Sequence, residues 1–300
     1  MKRKKALSPT EGSSKLLLVG DIHGGYKQAE LAAGVAEKEG RDVFCDGDYL
    51  VDWHAPEDKL VQAFDKMMVP FTKGKSRFYT VNGNHDPDAP YSKAIGKHVG
   101  PSCVDMVGKL AEYDSMALVG FGGREVADPK KSGSGSPHGY SEIYDSLSSN
   151  IESAKSKGYH ESDIALLLHE PAKGYLDVVS NGNYHIGGNA ARDIVERYDA
   201  GLVISGHTHV DTGIEVRVRE KGADYRLRLK PADGVNEEYD FHGAKITARG
   251  GKFGISYRPA ETALTCFVNP GTLGYSNEYA TLDMKTGGES KELSFDFRKL

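Results

Sequence analysis

Cysteine is scarce, with three residues, Cys45, Cys103 and Cys266, among 300 and no Cys-x-x-Cys spacing. An odd, scattered set excludes a disulfide framework and a zinc ribbon, and it fits the cytoplasm. Long apolar runs are also missing, so no stretch approaches a membrane span. The basic residues Lys2 to Lys5 are followed by no apolar segment, which excludes a secretory signal, and residues 1–14 are read as a disordered leader. Excess positive charge is absent too: 38 Lys and Arg stand against 43 Asp and Glu, a net charge of −5. That balance provides no global field for a nucleic-acid backbone or an anionic membrane. What remains is 38% hydrophobic residues, enough for a large core in one globular unit over residues 15–300.

What the chain does contain is a series of short polar blocks, each at the end of an aliphatic run that reads as a buried strand. Residues 15–20 (KLLLVG) lead into Asp21-Ile-His23, and residues 42–46 (DVFCD) lead into Gly47-Asp48. Residues 77–81 lead into Gly83-Asn84-His85-Asp86, residues 163–168 into His169, and residues 201–205 into Gly206-His207-Thr-His209. Strand ends arranged in this way deliver Asp, His and Asn side chains to one edge of a sheet. Gly83 is expected to let the chain turn abruptly, and Gly206 to free the backbone around the two histidines after it.

Helical spacing between these blocks places a helix from Tyr26 with Leu31, Val35 and Ala36 on its apolar face. A second starts at Pro56 with Leu60, Phe64, Met67 and Met68 in its core stripe, and others cover about 143–155 and 191–198. Alternating strands and helices mark an α/β fold. After His209 the pattern becomes strands alone. Ile214, Val216 and Val218 alternate with Glu215, Arg217 and Arg219, and Tyr225, Leu227 and Leu229 alternate with Arg226, Arg228 and Lys230. This predicts a ribbon with one basic face, within a β-rich accessory insertion at about 210–260. The composition of residues 128–139 (DPKKSGSGSPHG) excludes regular structure, and the segment reads as a solvated loop or a flap over the site. Residues 279–284 read as a closing edge strand. Gly187-Gly188, before the helix at 191–198, form a natural anion receptor.

Neutral imidazoles and carboxylates bind borderline divalent cations, and a set of Asp, His and Asn without Cys favours Mn, Fe or Zn over Mg or Ca. His54, His98, His138, His160 and His242 fall outside the blocks and read as surface or core histidines. In their order, D-x-H, GD, GNHD, H and GHTH resemble the pattern of the calcineurin-like metallophosphoesterase superfamily, and they span Asp21 to His209. The resemblance implies a four-layer αββα sandwich with two mixed β-sheets. It also implies two divalent ions, Mn foremost with Fe or Zn as alternatives. Asp21, His23, Asp48 and His209 would hold one, and Asp48, Asn84, His169 and His207 the other.

The activity so implied is hydrolysis of small phosphodiesters or phosphomonoesters by a metal-bridging hydroxide, with His85 as general acid and Asp86 as the anchor of the catalytic loop. In the protein phosphatases of this superfamily, GD is followed by an acidic residue three positions on and then Arg. Val51 stands there here, followed by Asp52, Trp53 and His54, which argues against a phosphoprotein phosphatase. His169-Glu-Pro171, Leu176-Asp177, His185-Ile-Gly-Gly188, Gly213 and Asn269-Pro-Gly271 are similar to the superfamily's small phosphodiesterases. On that likeness His185, Gly187 and Gly188 border the substrate phosphate. Arg124 is the candidate phosphate clamp, since a guanidinium matches phosphate geometry. Two alternatives stand beside this reading: a DNA nuclease of the same superfamily using the basic ribbon, and a catalytically silent protein-binding scaffold. The acidic balance disfavours nucleic acid as a partner, and no feature of the sequence indicates an oligomeric state.

Overall fold

A computed structural model of the chain describes residues 12–179, 184–231, 236–287 and 289–300. Two mixed sheets lie face to face. The nine-stranded sheet runs in the order Asn236–Phe241, Ala244–Arg249, Lys252–Tyr257, Ser290–Lys299, Glu278–Gly287, Gly12–Val19, Asp42–Cys45, Phe78–Thr80, Cys103–Asp105. The seven-stranded sheet runs Ala223–Leu229, Gly213–Glu220, Ala263–Asn269, Leu202–Ile204, Ile164–Leu168, Met116–Phe121, Lys109–Tyr113.

The layering follows from the period-2 alternation of strand side chains. Leu16, Leu18, Phe44 and Tyr79 of one sheet meet Leu118, Ala165, Leu167, Leu202 and Ile204 of the other in a core between the sheets. Leu17, Val19, Val43, Cys45 and Phe78 point the other way, against helices α1 (Tyr26–Glu39), α2 (Glu57–Thr72) and α3 (Asp88–Ile95). Val119, Ile164, Leu166, Leu168 and Val203 likewise pack under α4 (Tyr140–Ser156) and α5 (Asn189–Arg197). Strands covered on both faces have no polar face, which is why they read as unbroken aliphatic runs. The result is the four-layer αββα sandwich expected from the sequence.

Several details differ. In α1 the buried face is Ala29, Ala32 and Ala36, and Leu31 is 50% exposed, because small side chains bring the helix close to its neighbours. Residues 12–14, assigned to the leader, already pair with Met284–Thr286 as the start of a strand; residues 1–11 lie outside the described ones. The expected closing edge, Glu278–Gly287, is instead central, flanked by antiparallel strands on both sides. The insertion expected at 210–260 is not separate from the sheets. Gly213–Glu220 and Ala223–Leu229 extend the seven-stranded sheet, and the three strands from Asn236 to Tyr257 extend the nine-stranded one. Finally, the loop 128–139 contains a short 3-10 turn, Pro129–Lys131, and a strand, Pro137–His138. Rather than lying free, it is fastened to the Asn84 carbonyl by the Gly135 N–H (2.7 Å) and the Ser134 hydroxyl (3.0 Å).

Candidate metal centre

Every block lies just past the carboxyl end of a strand in the parallel part of a sheet: Asp21 and His23, Asp48, and Asn84 in the first sheet, His169, and His207 with His209 in the second. The facing sheets bring these ends together. His23 Nε2 lies 3.0 Å from His209 Nε2 and 3.6 Å from Asp48 Oδ2. His209 Nε2 is 3.3 Å from Asp21 Oδ1. On the other side of Asp48, His169 Nε2 is 2.9 Å from Asn84 Oδ1, 3.2 Å from His207 Nδ1 and 3.5 Å from Asp48 Oδ1. Two donor groups therefore share Asp48: Asp21, His23, Asp48 and His209, and Asp48, His169 and His207 with Asn84 beside them. With metal–ligand bonds of about 2.0–2.2 Å, donors around one ion stand roughly 3 Å apart, so the spacing fits.

The tautomers agree. Nδ1 of His23 donates to the Leu50 carbonyl (3.1 Å) and Nδ1 of His169 to the Asp46 carbonyl (2.9 Å), which leaves both Nε2 lone pairs facing the centre. Burial lowers His23 and His169 to about 4 and His207 further, so these imidazoles are neutral at physiological pH. Burial opposes charge on His209 as well, but the Asp21 carboxylate outweighs it and raises the histidine. Asp48 is pushed up by burial and then by Asp86 and Asp21. Paired lone pairs about 3 Å apart and buried oxygens without donors are unfavourable unless a cation joins them. Asp48 Oδ2 is such a buried atom without a hydrogen-bond partner, and the residues present thus fit divalent cations.

The backbone contributes in a way the sequence does not show. Asp21, His23, Asp48, His207 and His209 themselves occupy positive φ, between 42° and 68°. Such conformations cost about 1–3 kcal/mol each and persist where the surroundings hold them. Gly206 and Gly83 are needed for space rather than for unusual dihedrals: a Cβ at Gly83 would overlap Asp48 Oδ1, and one at Gly206 would stand 2.8 Å from Asp21 Oδ2.

His85 borders this centre. Its backbone N–H donates to Asp48 Oδ1 (2.8 Å), its ring lies 5.1 Å from that of His23, and the Trp53 ring meets it edge-on at 4.2 Å. No carboxylate among the described residues orients the imidazole; Nδ1 faces the Val51 carbonyl at 3.4 Å. Asp86 is fully buried and accepts the backbone N–H groups of Gly83 (2.8 Å), Tyr49 (3.1 Å) and Leu50 (3.1 Å), so it joins the Asp48 loop to the Asn84 loop. Tyr275, 62% exposed, stacks on His23 at 4.8 Å; nothing near His23 in sequence signals it. His54, His98, His138, His160 and His242 are in neither donor group.

The expected phosphate contacts are placed less uniformly. The Arg124 side chain is half exposed, its charge is felt at His207, and its Nε lies 3.6 Å from Glu170 Oε1. His185 is held by the buried Asp177 through Nδ1 (2.7 Å). Gly187 and Gly188 allow close packing: a Cβ at the first would stand 2.7 Å from the Lys173 backbone, and at the second 2.7 Å from Glu170 Oε2. The α5 N-terminus they precede is already taken by the chain's own Glu125, which accepts from the Ala190 N–H at 2.6 Å and from the Asn189 amide at 3.0 Å. The basic ribbon is likewise internally paired. Glu215 holds Arg226 and Arg228, Asp211 holds Arg228 and Lys230, and Asp199 and Asp224 hold Arg219. A nuclease reading loses the free basic face it required.

Among the described residues no helix is long and apolar enough to cross a membrane. No curated protein matches the chain. One solved structure shares 14% identity over 91% of this chain and 95% of its own, at a TM-score of 0.62. The TT1561 protein of Thermus thermophilus shares 13% identity over 90% of this chain and 94% of its own, at a TM-score of 0.54. At these identities the likeness concerns the fold alone. The family profile for calcineurin-like phosphoesterases matches residues 14–211, a stretch that includes both donor groups. The chain belongs to the calcineurin-like phosphoesterase family.

Proposed function

We propose that this chain is a two-metal phosphoesterase that hydrolyses small phosphodiesters or monoesters, with Mn as the preferred ion. The observation that carries this reading is the sharing of the buried Asp48 between two largely buried donor groups. Asp21, His23, Asp48 and His209 would hold one ion, and Asp48, Asn84, His169 and His207 the other. When bound, such a pair supplies a water of lowered pKa and neutralises phosphate charge.

The remaining work falls to side chains. His85, partly exposed beside the centre, donates the proton that the departing oxygen requires. Asp86 keeps His85 and Asn84 in register with Asp48, and the half-exposed Arg124 guanidinium offers paired donors to the ester's free oxygens. Three buried, unpaired cysteines support a reducing compartment, which fits the cytoplasm. The test is hydrolysis of aryl monoesters, aryl diesters, cyclic nucleotides and single-stranded DNA, with added Mn and with chelator. Cleavage of a small ester that chelator abolishes, and that His85→Ala suppresses while Mn still binds, is the expected result. No cleavage of any ester with any of Mn, Fe or Zn refutes it.

A further inference from the structure

One acid at this centre, Asp46, belongs to neither of the two donor groups that share Asp48. It follows the strand Asp42–Cys45 and is fully buried, yet neither of its carboxylate oxygens has a well-formed hydrogen bond; only the Asp21 backbone N–H, which itself donates to the Gly47 carbonyl at 3.0 Å, is near enough to ease its charge. An uncompensated carboxylate in the interior is heavily penalised, and its neighbours make matters worse, since Asp21 and Asp48 are carboxylates too. Even so, the chain keeps a seat for it. A Cβ at Gly20 would overlap Asp46 Oδ1, and one at Gly206 would stand 2.6 Å from it. These two glycines directly precede Asp21 and His207, so the seat is built from the same strand ends as the donor groups. Donor atoms of Asp21, Asp46 and His169 lie within 4.8 Å of one another, forming a third group that overlaps the other two.

We propose that Asp46 is a third carboxylate of the cation centre, placed where Asp21 of one donor group and His169 of the other approach each other, and that Gly20 and Gly206 provide its seat. The proposal rests on the two-metal reading above. Removing one oxygen donor from a cation site weakens binding, and it relieves the metal-free protein of a buried carboxyl group without a well-formed hydrogen bond.

The test uses the full chain and its Asp46→Asn and Asp46→Ala variants, stripped with chelator. Mn binding is followed by calorimetry, and thermal unfolding is recorded with and without Mn. Mn affinity is expected to fall in both variants, by on the order of 10- to 100-fold in Asp46→Ala and by less in Asp46→Asn, whose amide oxygen remains a neutral donor. The metal-free variants are expected to unfold at a higher temperature than the metal-free parent. A merely structural Asp46 would give the opposite pattern, unchanged Mn affinity with lower metal-free stability, and that overturns the proposal while leaving the two-metal reading intact. If the parent binds none of Mn, Zn or Fe, both fall. Should Asp46→Ala not fold, the isosteric Asp46→Asn decides: equal affinity there also overturns the proposal.

Discussion

Replacing Asp86 by Ala tests whether the centre is held together by one buried carboxylate. The side chain satisfies three backbone donors, Gly83 at 2.8 Å and Tyr49 and Leu50 at 3.1 Å, in a place where water has no access. A buried donor left unsatisfied costs about 1–3 kcal/mol, so losing all three costs at least about 3 kcal/mol. Against a total stability of about 5–15 kcal/mol this is a large share. At an unfolding entropy of about 2.1 cal/mol/K per residue, each kcal/mol shifts the midpoint of this 300-residue chain by about 1.6 °C, so a fall of at least about 5 °C is expected for Asp86→Ala. Asp86→Asn retains one acceptor oxygen and should lie between the two. Thermal unfolding by circular dichroism gives the midpoints, and Mn calorimetry follows the centre, since Asp48 and Asn84 lose their common anchor. A midpoint within about 1 °C of the parent, equivalent to no more than about 0.6 kcal/mol, refutes the reasoning. So does lost hydrolysis with unchanged stability and Mn binding, which would make Asp86 a reacting group instead of an anchor.

Three further outcomes follow from the same contacts. Burial raises the Glu170 carboxyl from its ordinary 4.5 to about 8, against the opposing pull of the Glu125 N–H and Arg124. The folded protein thus keeps a proton that the unfolded chain releases, so stability falls as pH rises from about 4.5 to about 8; in Glu170→Gln, urea unfolding at several pH values should show a flatter profile over that window. Removing the Glu125 carboxylate from the α5 N-terminus in Glu125→Ala should cost about 1–2 kcal/mol in urea unfolding, and an unchanged midpoint would show that water serves the Ala190 N–H equally well. In Tyr275→Ala the exposed ring that stacks on His23 is lost; Mn affinity by calorimetry should fall roughly 2- to 10-fold, the equivalent of about 0.5–1.5 kcal/mol of aromatic contact, and an unchanged affinity would show that the ring does not hold His23 in place.

The donor blocks are legible in the sequence because their chemistry restricts residue type and each follows a strand whose two buried faces force an aliphatic run. Asp21, His23, Asp48, Asn84, His169, His207 and His209 can be picked out one strand end at a time, and the αββα architecture follows from the family pattern they form. Asp46 has the same kind of position, a carboxylate closing an apolar strand, but reads as the last residue of that strand until its unpaired oxygens are seen. The periodicity of 213–229 correctly gives a ribbon, yet the charge on its face says nothing about the acids that Asp211 and Glu215 bring against it.

Sequence alone therefore determined which strands carry the Asp, His and Asn side chains of the candidate centre, since burial and donor chemistry both act on neighbours along the chain. Tertiary structure decided what those side chains meet: Tyr275 on His23, Glu125 on the α5 N-terminus, the Val51 carbonyl facing His85, and the central place of Glu278–Gly287. It also decided that Asp21, His23, Asp48, His207 and His209 themselves, rather than Gly83 and Gly206 beside them, adopt left-handed backbone. The physical reason is that these features arise from the packing of distant segments, and a carbonyl, a ring or a carboxylate carries no mark in its own sequence neighbourhood of the partner that folding will place against it.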